Sequence, residues 1–296
     1  MQGSKLFSHC VLGTAGLGGV WGKVNKVESV KAILIALDKG ISCIDTAPAY
    51  GDAEEFIGTA LRQWGGPMPI LSTKVGRLKT YAADQGVYDY SADGMERSVT
   101  NSLETLGVQA VDILFLHEPL AIPEGEIENV FTQLLKFKKN GYAKKLGVGG
   151  NCHELFKKYN MAETFDVVME FNRLDACYTG ALDTSLPFYQ SQGIEFYAAS
   201  PLHMGLLGDR FEQYFVSRPQ WLDKSIIDRA KLVKEIADRY QMPLRSLAHR
   251  FLLSIPENLK IVIGPGDANQ LFETISDFSQ GPLPPNIFEE IMHLKN

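Results

Sequence analysis

The chain of 296 residues has few cysteines and no arrangement of them that would build a scaffold. Cys10, Cys43, Cys152 and Cys177 lie far apart and form no CxxC pair. This spacing argues against a disulfide framework and against a structural zinc site. We therefore expect reduced, mostly buried thiols and no bound metal.

The chain also has no dense cluster of positive charge and no long apolar run. Lys and Arg number 29 against 35 Asp and Glu, which gives a formal net charge of -6 without any dense basic run. We therefore expect no nucleic-acid partner. No 18 uncharged apolar residues run together, and the N-terminus has no basic segment followed by an apolar one. The sequence therefore predicts a cytoplasmic protein without a membrane span.

The chain has instead a regular alternation of short apolar runs with longer segments of helical periodicity. This pattern is typical of repeated βα units around a parallel sheet. Strands are predicted near residues 10–14, 42–45, 70–74, 112–117, 145–148, 165–170, 195–200 and 260–263. Helices are predicted near residues 26–39, 53–64, 92–106, 127–140, 152–160, 181–192, 225–240 and 269–278. Eight such pairs predict an α/β fold, a single-domain (β/α)₈ TIM barrel over residues 1–296.

Further segments interrupt this rhythm without adding a second domain. Residues 76–90 and 202–224 form long irregular stretches after the third and seventh strands, where barrel enzymes build their active sites, so we expect substrate or lid loops there. Extra helices are predicted at 244–254, before the eighth strand, and near 285–295, at the C-terminus. The oligomeric state stays open.

Three of the predicted strands end in titratable residues. Asp45 ends the second strand, Lys74 the third and His117 the fourth, and Tyr50 follows Asp45 by five residues in a turn. Because the carboxyl ends of barrel strands meet at one rim, we expect these four side chains to lie together. Each residue alone could serve a structural role; their coincidence on adjacent strands favours a catalytic site.

Such a group suits proton transfer on oxygen. A tyrosine with a pKa of about 10 is a weak acid or base at neutral pH unless its anion is stabilised, and we expect Lys74 to lower that pKa. Asp45 would keep Lys74 charged, and His117 would orient a carbonyl oxygen. Proton transfer of this kind fits a reaction whose other half is hydride transfer from a bound cofactor.

These motifs resemble the aldo-keto reductase family. The resemblance is carried by Gly40-Ile-Ser-Cys-Ile-Asp45-Thr-Ala-Pro-Ala-Tyr50-Gly, Ser72-Thr-Lys74 and Leu114-Phe-Leu-His117, in the family's order. It implies a catalytic tetrad in which Tyr50 is the general acid or base, Lys74 tunes it, Asp45 pairs with Lys74 and His117 orients the substrate. Residues 13–24, 88–94 and 199–207 further resemble the branch that contains L-galactose dehydrogenase and the aldose 1-dehydrogenases, which oxidise free sugars with NAD.

The family resemblance also implies an NAD(P) site, with departures from the usual pattern. The usual Ser-Asn pair after the fifth strand is replaced by Gly149-Gly150-Asn151, so the nicotinamide carboxamide would need backbone groups at Gly149 or the Asn151 side chain. Met169 and Glu170 stand near the place of the usual glutamine. Cofactor contacts are further expected at Ser200, Leu202, Gly264, Gly266, Asp267, Gln270 and Glu273.

The turn after the eighth strand favours NAD over NADP. Gly264-Pro-Gly266-Asp267 leads into a helix whose N-terminus can face a phosphate. The segment contains no Lys or Arg, and Asp267 would repel a 2′-phosphate or accept from a free ribose hydroxyl. Arg210 could reach in from the neighbouring loop, which keeps NADP open.

Trp21, Glu118 and His203 are the predicted substrate contacts, with Trp21 as an aromatic wall for a sugar or an aldehyde. We expect an NAD(P)-dependent oxidoreductase acting on an aldehyde, hemiacetal or alcohol group, with sugars favoured. The alternatives are an NADPH-dependent reductase of small aldehydes or ketones, and a non-catalytic regulatory protein that keeps the cofactor.

Overall fold

Eight parallel strands pair in chain order and close into a barrel, as the sequence predicts. The structure is a computed structural model that describes residues 7–294; the remaining residues of the predicted domain, 1–6 and 295–296, lie outside it. The strands are β1 (Cys10–Gly13), β2 (Cys43–Asp45), β3 (Ile70–Val75), β4 (Val111–His117), β5 (Ala143–Gly149), β6 (Val167–Phe171), β7 (Glu195–Ala199) and β8 (Lys260–Ile263). Closure comes from the parallel pairing of β8 with β1, in which Val11 is the register partner of Val262.

Twelve α-helices surround the strands in the described part of the chain. They are α1 (Lys26–Asp38), α2 (Ala53–Gln63), α3 (Ala92–Leu106), α4 (Ile127–Lys139), α5 (His153–Lys158), α6 (Gly180–Asp183), α7 (Ser185–Ser191), α8 (Phe211–Val216), α9 (Lys224–Arg239), α10 (Leu244–Leu253), α11 (Ala268–Ser279) and α12 (Pro285–Met292). The sequence predicts most of these within one or two residues.

Two predicted segments differ from the structure. The helix predicted at 181–192 is divided into α6 and α7, because Thr184 between them has non-helical backbone angles (φ -126°, ψ -81°). The irregular segment predicted at 202–224 contains the short helix α8. Apolar periodicity over six residues is too short a signal to distinguish such a helix from a loop.

Alternating side chains of the strands divide the core into two layers. Inward-facing residues fill the barrel, among them Val11, Phe115 and Tyr197, and the other face of each strand packs against the helices. Cys43 belongs to the inner layer as an apolar filler, and burial raises the pKa of its thiol to about 12. All four cysteines are buried and free, as expected from their spacing.

Helix α3 shows how local sequence places a functional strand end. The Ser91 hydroxyl accepts a hydrogen bond from the Gly94 N–H at the first turn. Gly107 ends the helix in the left-handed conformation (φ 73°), which turns the chain directly into β4. The short connection fixes the strand that carries His117 at its far end.

None of the helices within residues 7–294 combines the length and the apolar character needed to cross a lipid bilayer.

Candidate active site

The carboxyl ends of β2, β3 and β4 bring together the four residues of the predicted tetrad. Asp45 ends β2, Lys74 is the penultimate residue of β3 and His117 ends β4. Tyr50 reaches the same rim from the turn between β2 and α2, where its N–H donates to the Ala47 carbonyl at 3.0 Å and its own carbonyl accepts from the start of α2. The four side chains therefore share one rim of the barrel.

Lys74 and Asp45 form a buried ion pair beneath Tyr50. Both side chains are 2% exposed, and the ammonium donates to the two Asp45 oxygens at 2.6 and 2.5 Å. The Thr46 carbonyl accepts a third hydrogen bond from Lys74 at 2.9 Å, and the Ser72 hydroxyl donates to Asp45 at 2.8 Å. Burial alone would lower the pKa of Lys74, but Asp45 and Tyr50 raise it above its ordinary value, so the ammonium stays charged.

The Tyr50 hydroxyl titrates above its ordinary range. Burial raises the pKa of Tyr50, and the Lys74 ammonium, 4.8 Å from the ring centroid, acts in the opposite direction. The expected lowering by Lys74 is thus present, but burial outweighs it, and the Asp45 charge adds to the upward shift. A neutral phenol held beside an ammonium can donate a proton to an oxygen that develops negative charge.

The His117 imidazole packs against the Tyr50 ring. The two rings meet edge to face with centroids 5.8 Å apart and planes at 88°. Burial, and then the charges of Lys74 and Arg77, hold the pKa of His117 well below its ordinary value, so the imidazole is neutral. Its Nδ1 is buried and has no hydrogen-bond partner among the described residues.

The loop after β3 is fastened to the end of β4. Glu118 follows His117 in a left-handed conformation (φ 51°), and its carboxylate accepts from Arg77 at 2.8 Å and from the Tyr88 hydroxyl. Tyr90 donates to the backbone carbonyls of His117 and Glu118 at 2.8 and 2.9 Å. Tyr88 and Tyr90 therefore pack the loop. The Glu118 carboxylate, predicted to contact substrate, already accepts hydrogen bonds from Arg77 and Tyr88 of this loop.

A cleft of about 450 Å³ extends from this rim across the barrel mouth. Asp45 and Tyr50 line it at the tetrad, and Gly264, Gln270 and Glu273 line it beyond β8. Its volume is in the range of small-molecule and cofactor sites. Trp21 lines the cleft with its side chain 47% exposed, and its contact with substrate stays a prediction.

The middle of the cleft suits a negatively charged ligand. Arg210 lines it, with its guanidinium 5.9 Å from the Trp21 ring centroid, and makes no ion pair with any described residue. At the turn after β8, a Cβ built on Gly264 would meet no other atom within 4 Å, so the backbone there is open to a ligand. Ser200 and Leu202 line the same stretch. These residues fit the phosphates of a dinucleotide.

The far end of the cleft carries a network of charged side chains that sequence reasoning missed in part. Arg245, on α10, donates to Glu273 at 2.5 Å and to Asp277 at 2.8 Å. His249, one turn later, contacts the same Asp277 oxygen at 2.9 Å and also lines the cleft. Arg245 and His249 belong to the extra helix before β8, and no local motif marks them.

Asp267 and Gln270 have structural partners within the turn itself. The Asp267 carboxylate accepts from the Gln270 N–H at 2.9 Å and so caps α11, while the Gln270 amide oxygen accepts from the Gly266 N–H at 2.8 Å. Gln270 and Gly266 line the cleft; Asp267 is not among its lining residues in the described chain.

Neither of the predicted carboxamide contacts, Gly149 and Asn151, is among the cleft-lining residues of the described chain. Gly149 lies beside the Lys74 side chain, because a Cβ built on it would be 3.7 Å from Cδ and Cε of Lys74. The Asn151 amide instead exchanges two hydrogen bonds with the backbone of Phe171, at 2.9 and 3.0 Å, and does not line the cleft within the described residues. Met169 lines the cleft where the usual glutamine would stand, and Glu170 turns away to Ser185.

His203 differs most from its predicted role as a substrate contact. Its ring is buried, and Nδ1 lies 2.7 Å from an oxygen of the fully buried Asp175. Cys177 adjoins the same carboxylate, and the ligand-capable atoms of the three residues lie within 4.8 Å of one another. No local sequence pattern indicates this cluster, because its members come from two different loops.

Comparisons with known proteins cover most of the chain. The model of the Aldo/keto reductase family matches residues 10–296. Similar curated proteins include L-galactose dehydrogenase of Arabidopsis thaliana, 28% identical over 89% of this chain and 82% of that protein. NADH-specific methylglyoxal reductase of Escherichia coli is 26% identical over 91% of this chain and 89% of that protein.

A solved structure has the same fold. The chain resembles the holo form of an aldo-keto reductase from Bacillus halodurans with a TM-score of 0.78 and 22% identity, over 97% of this chain and 92% of that one. This likeness extends over the barrel and its helices.

Proposed function

The chain belongs to the aldo/keto reductase family and is an NAD(P)-dependent oxidoreductase, and on this premise we propose that it oxidises a sugar hemiacetal to the lactone with NAD. The reverse reaction would reduce the corresponding carbonyl. The sugar, the preference for NAD and the roles of individual residues belong to this proposal. It rests on the tetrad at one end of the cleft and on the charges at the other.

Tyr50 is the proposed general acid and base. The bound nicotinamide would supply or accept the hydride at the reacting carbon. In oxidation the Tyr50 phenolate takes the proton from the sugar hydroxyl, and in reduction the neutral Tyr50 phenol donates its proton to the carbonyl oxygen. Lys74, held charged by Asp45, stabilises the phenolate that forms when Tyr50 gives up its proton.

His117 orients the reacting oxygen in this proposal. A neutral imidazole can donate one hydrogen bond without transferring charge. Its edge-to-face contact with Tyr50 sets the imidazole beside the phenol that lines the cleft. The observation that carries the proposal is this convergence of a phenol, an ammonium and an imidazole at the end of a cleft large enough for a cofactor.

The adenosine end of the cleft supports NAD. The single cation there, among the cleft-lining residues of α10 and α11, is Arg245, and it is neutralised by Glu273 and Asp277. The carboxylates of Glu273 and Asp277 would repel a 2′-phosphate here, because Arg245 is already paired with both. A ribose hydroxyl can instead donate a hydrogen bond to a carboxylate. The Escherichia coli relative is named NADH-specific, which agrees with this preference.

A sugar substrate is supported by the cleft wall and by the similar proteins. The half-exposed Trp21 indole offers an apolar face on which the C–H face of a pyranose can pack. One relative is named L-galactose dehydrogenase.

We further propose that residues 1–296 act as one catalytic domain. We also propose that the protein is cytoplasmic, because buried free thiols such as these stay reduced in that compartment.

Reduction of a small aldehyde is the second candidate. The raised pKa of Tyr50 keeps the phenol protonated at neutral pH, which favours proton donation to a carbonyl oxygen. The relative named methylglyoxal reductase points to the same class.

A two-by-two assay distinguishes the candidates. The purified protein is tested with NAD and NADP for oxidation of a panel of free aldoses, and with NADH and NADPH for reduction of small aldehydes. We expect the largest kcat/KM for an aldose with NAD. A larger value for a small aldehyde favours the second candidate, and no turnover on either panel contradicts both.

A further inference from the structure

The segment of residues 200–205 carries unusual backbone conformations at the edge of the cleft. Ser200, His203 and Met204 all have left-handed φ angles, of 64°, 46° and 56°, which non-glycine residues rarely adopt. Ser200, Leu202, Met204 and Gly205 line the cleft. A strained segment of this kind persists only where surrounding contacts hold it, so the contacts that hold this one determine the shape of the cleft.

His203 points away from the cleft and into a buried carboxylate. Its Nδ1 lies 2.7 Å from an Asp175 oxygen, with the two side chains 6% and 0% exposed. The Trp221 indole stacks on the imidazole, with ring centroids 6.4 Å apart and planes at 23°. A polar contact sealed in this way is strong and directional. It ties the strained segment to Asp175, while the Tyr214 hydroxyl of α8 donates to the Met204 carbonyl of the same segment at 3.1 Å.

The Asp175 carboxylate is itself held in place by hydrogen bonds from its own turn. The second Asp175 oxygen accepts hydrogen bonds from the N–H groups of Cys177 and Tyr178, both at 2.9 Å, and from the Cys177 thiol at 3.0 Å. Asp175 therefore belongs to the turn that follows β6, and one of its oxygens serves that turn while the other serves His203. The contact with His203 connects two loops that are separate in sequence.

We propose that the His203–Asp175 pair is a positioning device for cofactor binding, which holds residues 200–205 in the conformation that receives the dinucleotide. This inference rests on the proposed function, since its ligand is the nicotinamide cofactor. His203 is a positioning residue here: it acts through Leu202 and Met204, on either side of it, and does not touch the ligand. The affinity for the cofactor is then reduced whenever the pair is broken, because only the held conformation binds.

A metal ion is the rival occupant of this cluster. Asp175, Cys177 and His203 offer a carboxylate, a thiol and an imidazole within 4.8 Å. Each of these groups already has a hydrogen-bond partner in the cluster, and the charge of Arg229 acts on both Cys177 and Asp175, which opposes a second cation. We therefore assign the cluster to direct contact between His203 and Asp175.

The test compares two substitutions of His203 that place a side-chain amide at different distances from the backbone. In His203→Asn the side-chain amide nitrogen takes the place of Nδ1 and keeps the contact with Asp175, whereas in His203→Gln the amide reaches the place of Nε2 and loses it. Cys177→Ala is the matched control, because it removes a hydrogen bond to the other oxygen of the same carboxylate. The dissociation constant of NADH is measured by fluorescence titration, and amide hydrogen exchange of residues 202–207 is measured without cofactor.

We expect His203→Gln to weaken NADH binding about tenfold, as follows if the held conformation falls to about a tenth of the population. The same variant should speed amide exchange at Gly205 and Leu207, whose N–H groups donate to the Leu202 carbonyl. His203→Asn and Cys177→Ala should bind NADH within about threefold of the wild type. If His203→Gln does not fold, Asp175→Asn replaces it, with the same direction expected.

NADH affinity and amide exchange in folded His203→Gln that match the wild type overturn the proposal. So does a wild-type protein in which a chelator alone speeds exchange in this segment, because a metal would then be the link. A wild type that binds neither NADH nor NADPH contradicts the proposed function instead, and the exchange measurements still decide whether the pair holds the segment.

Discussion

The ammonium group of Lys74 lies 4.8 Å from the centroid of the Tyr50 ring, beneath the phenol and fully enclosed with Asp45. An ammonium ion in this position favours the phenolate, while the enclosure favours the neutral phenol. In the structure the enclosure has the larger effect, and the pKa of Tyr50 lies above its ordinary value. Catalysis in the two directions should therefore respond differently to pH.

The first prediction concerns that difference. Because the phenol stays neutral through pH 6–9, kcat/KM for carbonyl reduction should be constant over this range. Oxidation needs the phenol in its basic form, so kcat/KM for oxidation should rise with pH, by up to about tenfold per unit. Initial rates at saturating cofactor from pH 6 to 9 measure both. An oxidation rate that is flat between pH 7 and 9 would contradict the assignment of Tyr50.

The second prediction concerns the buried ion pair. Asp45→Asn leaves the Lys74 ammonium enclosed without its counter-charge, which should lower the free energy of unfolding by about 3–5 kcal/mol. Adding Lys74→Met removes the stranded charge, so the double variant should regain part of the stability while remaining inactive. Urea unfolding measures the stability. Glu55→Gln, in the exposed pair with Lys26, is the control and should change little. Equal effects of Asp45→Asn and Glu55→Gln would count against a desolvated pair.

The third prediction uses the low pKa of His117. Below about pH 6.5 this histidine binds a proton in the unfolded chain but stays neutral in the folded protein. The free energy of unfolding therefore falls as the pH is lowered. The contribution is at most about 1.4 kcal/mol per pH unit. In His117→Asn this contribution is gone, so the stability difference between wild type and variant should shrink from pH 7 to pH 5. A difference that stays constant would show that the imidazole is not held neutral.

The fourth prediction concerns the choice of cofactor. Glu273→Gln frees Arg245 from one of its two carboxylates, and the guanidinium can then meet a 2′-phosphate. One charge-assisted hydrogen bond of this kind should lower the ratio of the NADPH to the NADH dissociation constant about tenfold. Arg245→Gln in the same background should restore the ratio. An unchanged ratio in Glu273→Gln would remove Arg245 and Glu273 from the account of specificity.

The barrel and the position of the tetrad were predictable from sequence for one physical reason. Parallel strands in a closed barrel all end at the same rim, so Asp45, Lys74 and His117 meet whatever the loops do. The signal is local, because each residue ends its own short apolar run. Tyr50 follows from a short turn that begins at the same strand end.

The far end of the cleft and the seventh loop were not predictable in this way. Arg245 reaches the cleft from a helix, and its partners Glu273 and Asp277 lie about thirty residues further along the chain, a relationship without a local pattern. His203 turns inward where residues 200, 203 and 204 have left-handed backbone angles. Such angles cannot be predicted from sequence at residues other than glycine. Asn151 is taken by the Phe171 backbone through a contact between two strand ends.

The most direct test of the account is single-turnover hydride transfer in Tyr50→Phe, with NAD and aldose at saturation and NADH affinity measured in parallel. Removal of the hydroxyl should slow the chemical step by about 10²–10⁴-fold while the NADH dissociation constant stays within about twofold of the wild type. A Tyr50→Phe protein that transfers hydride at a rate close to the wild type would show that the proton moves through another group.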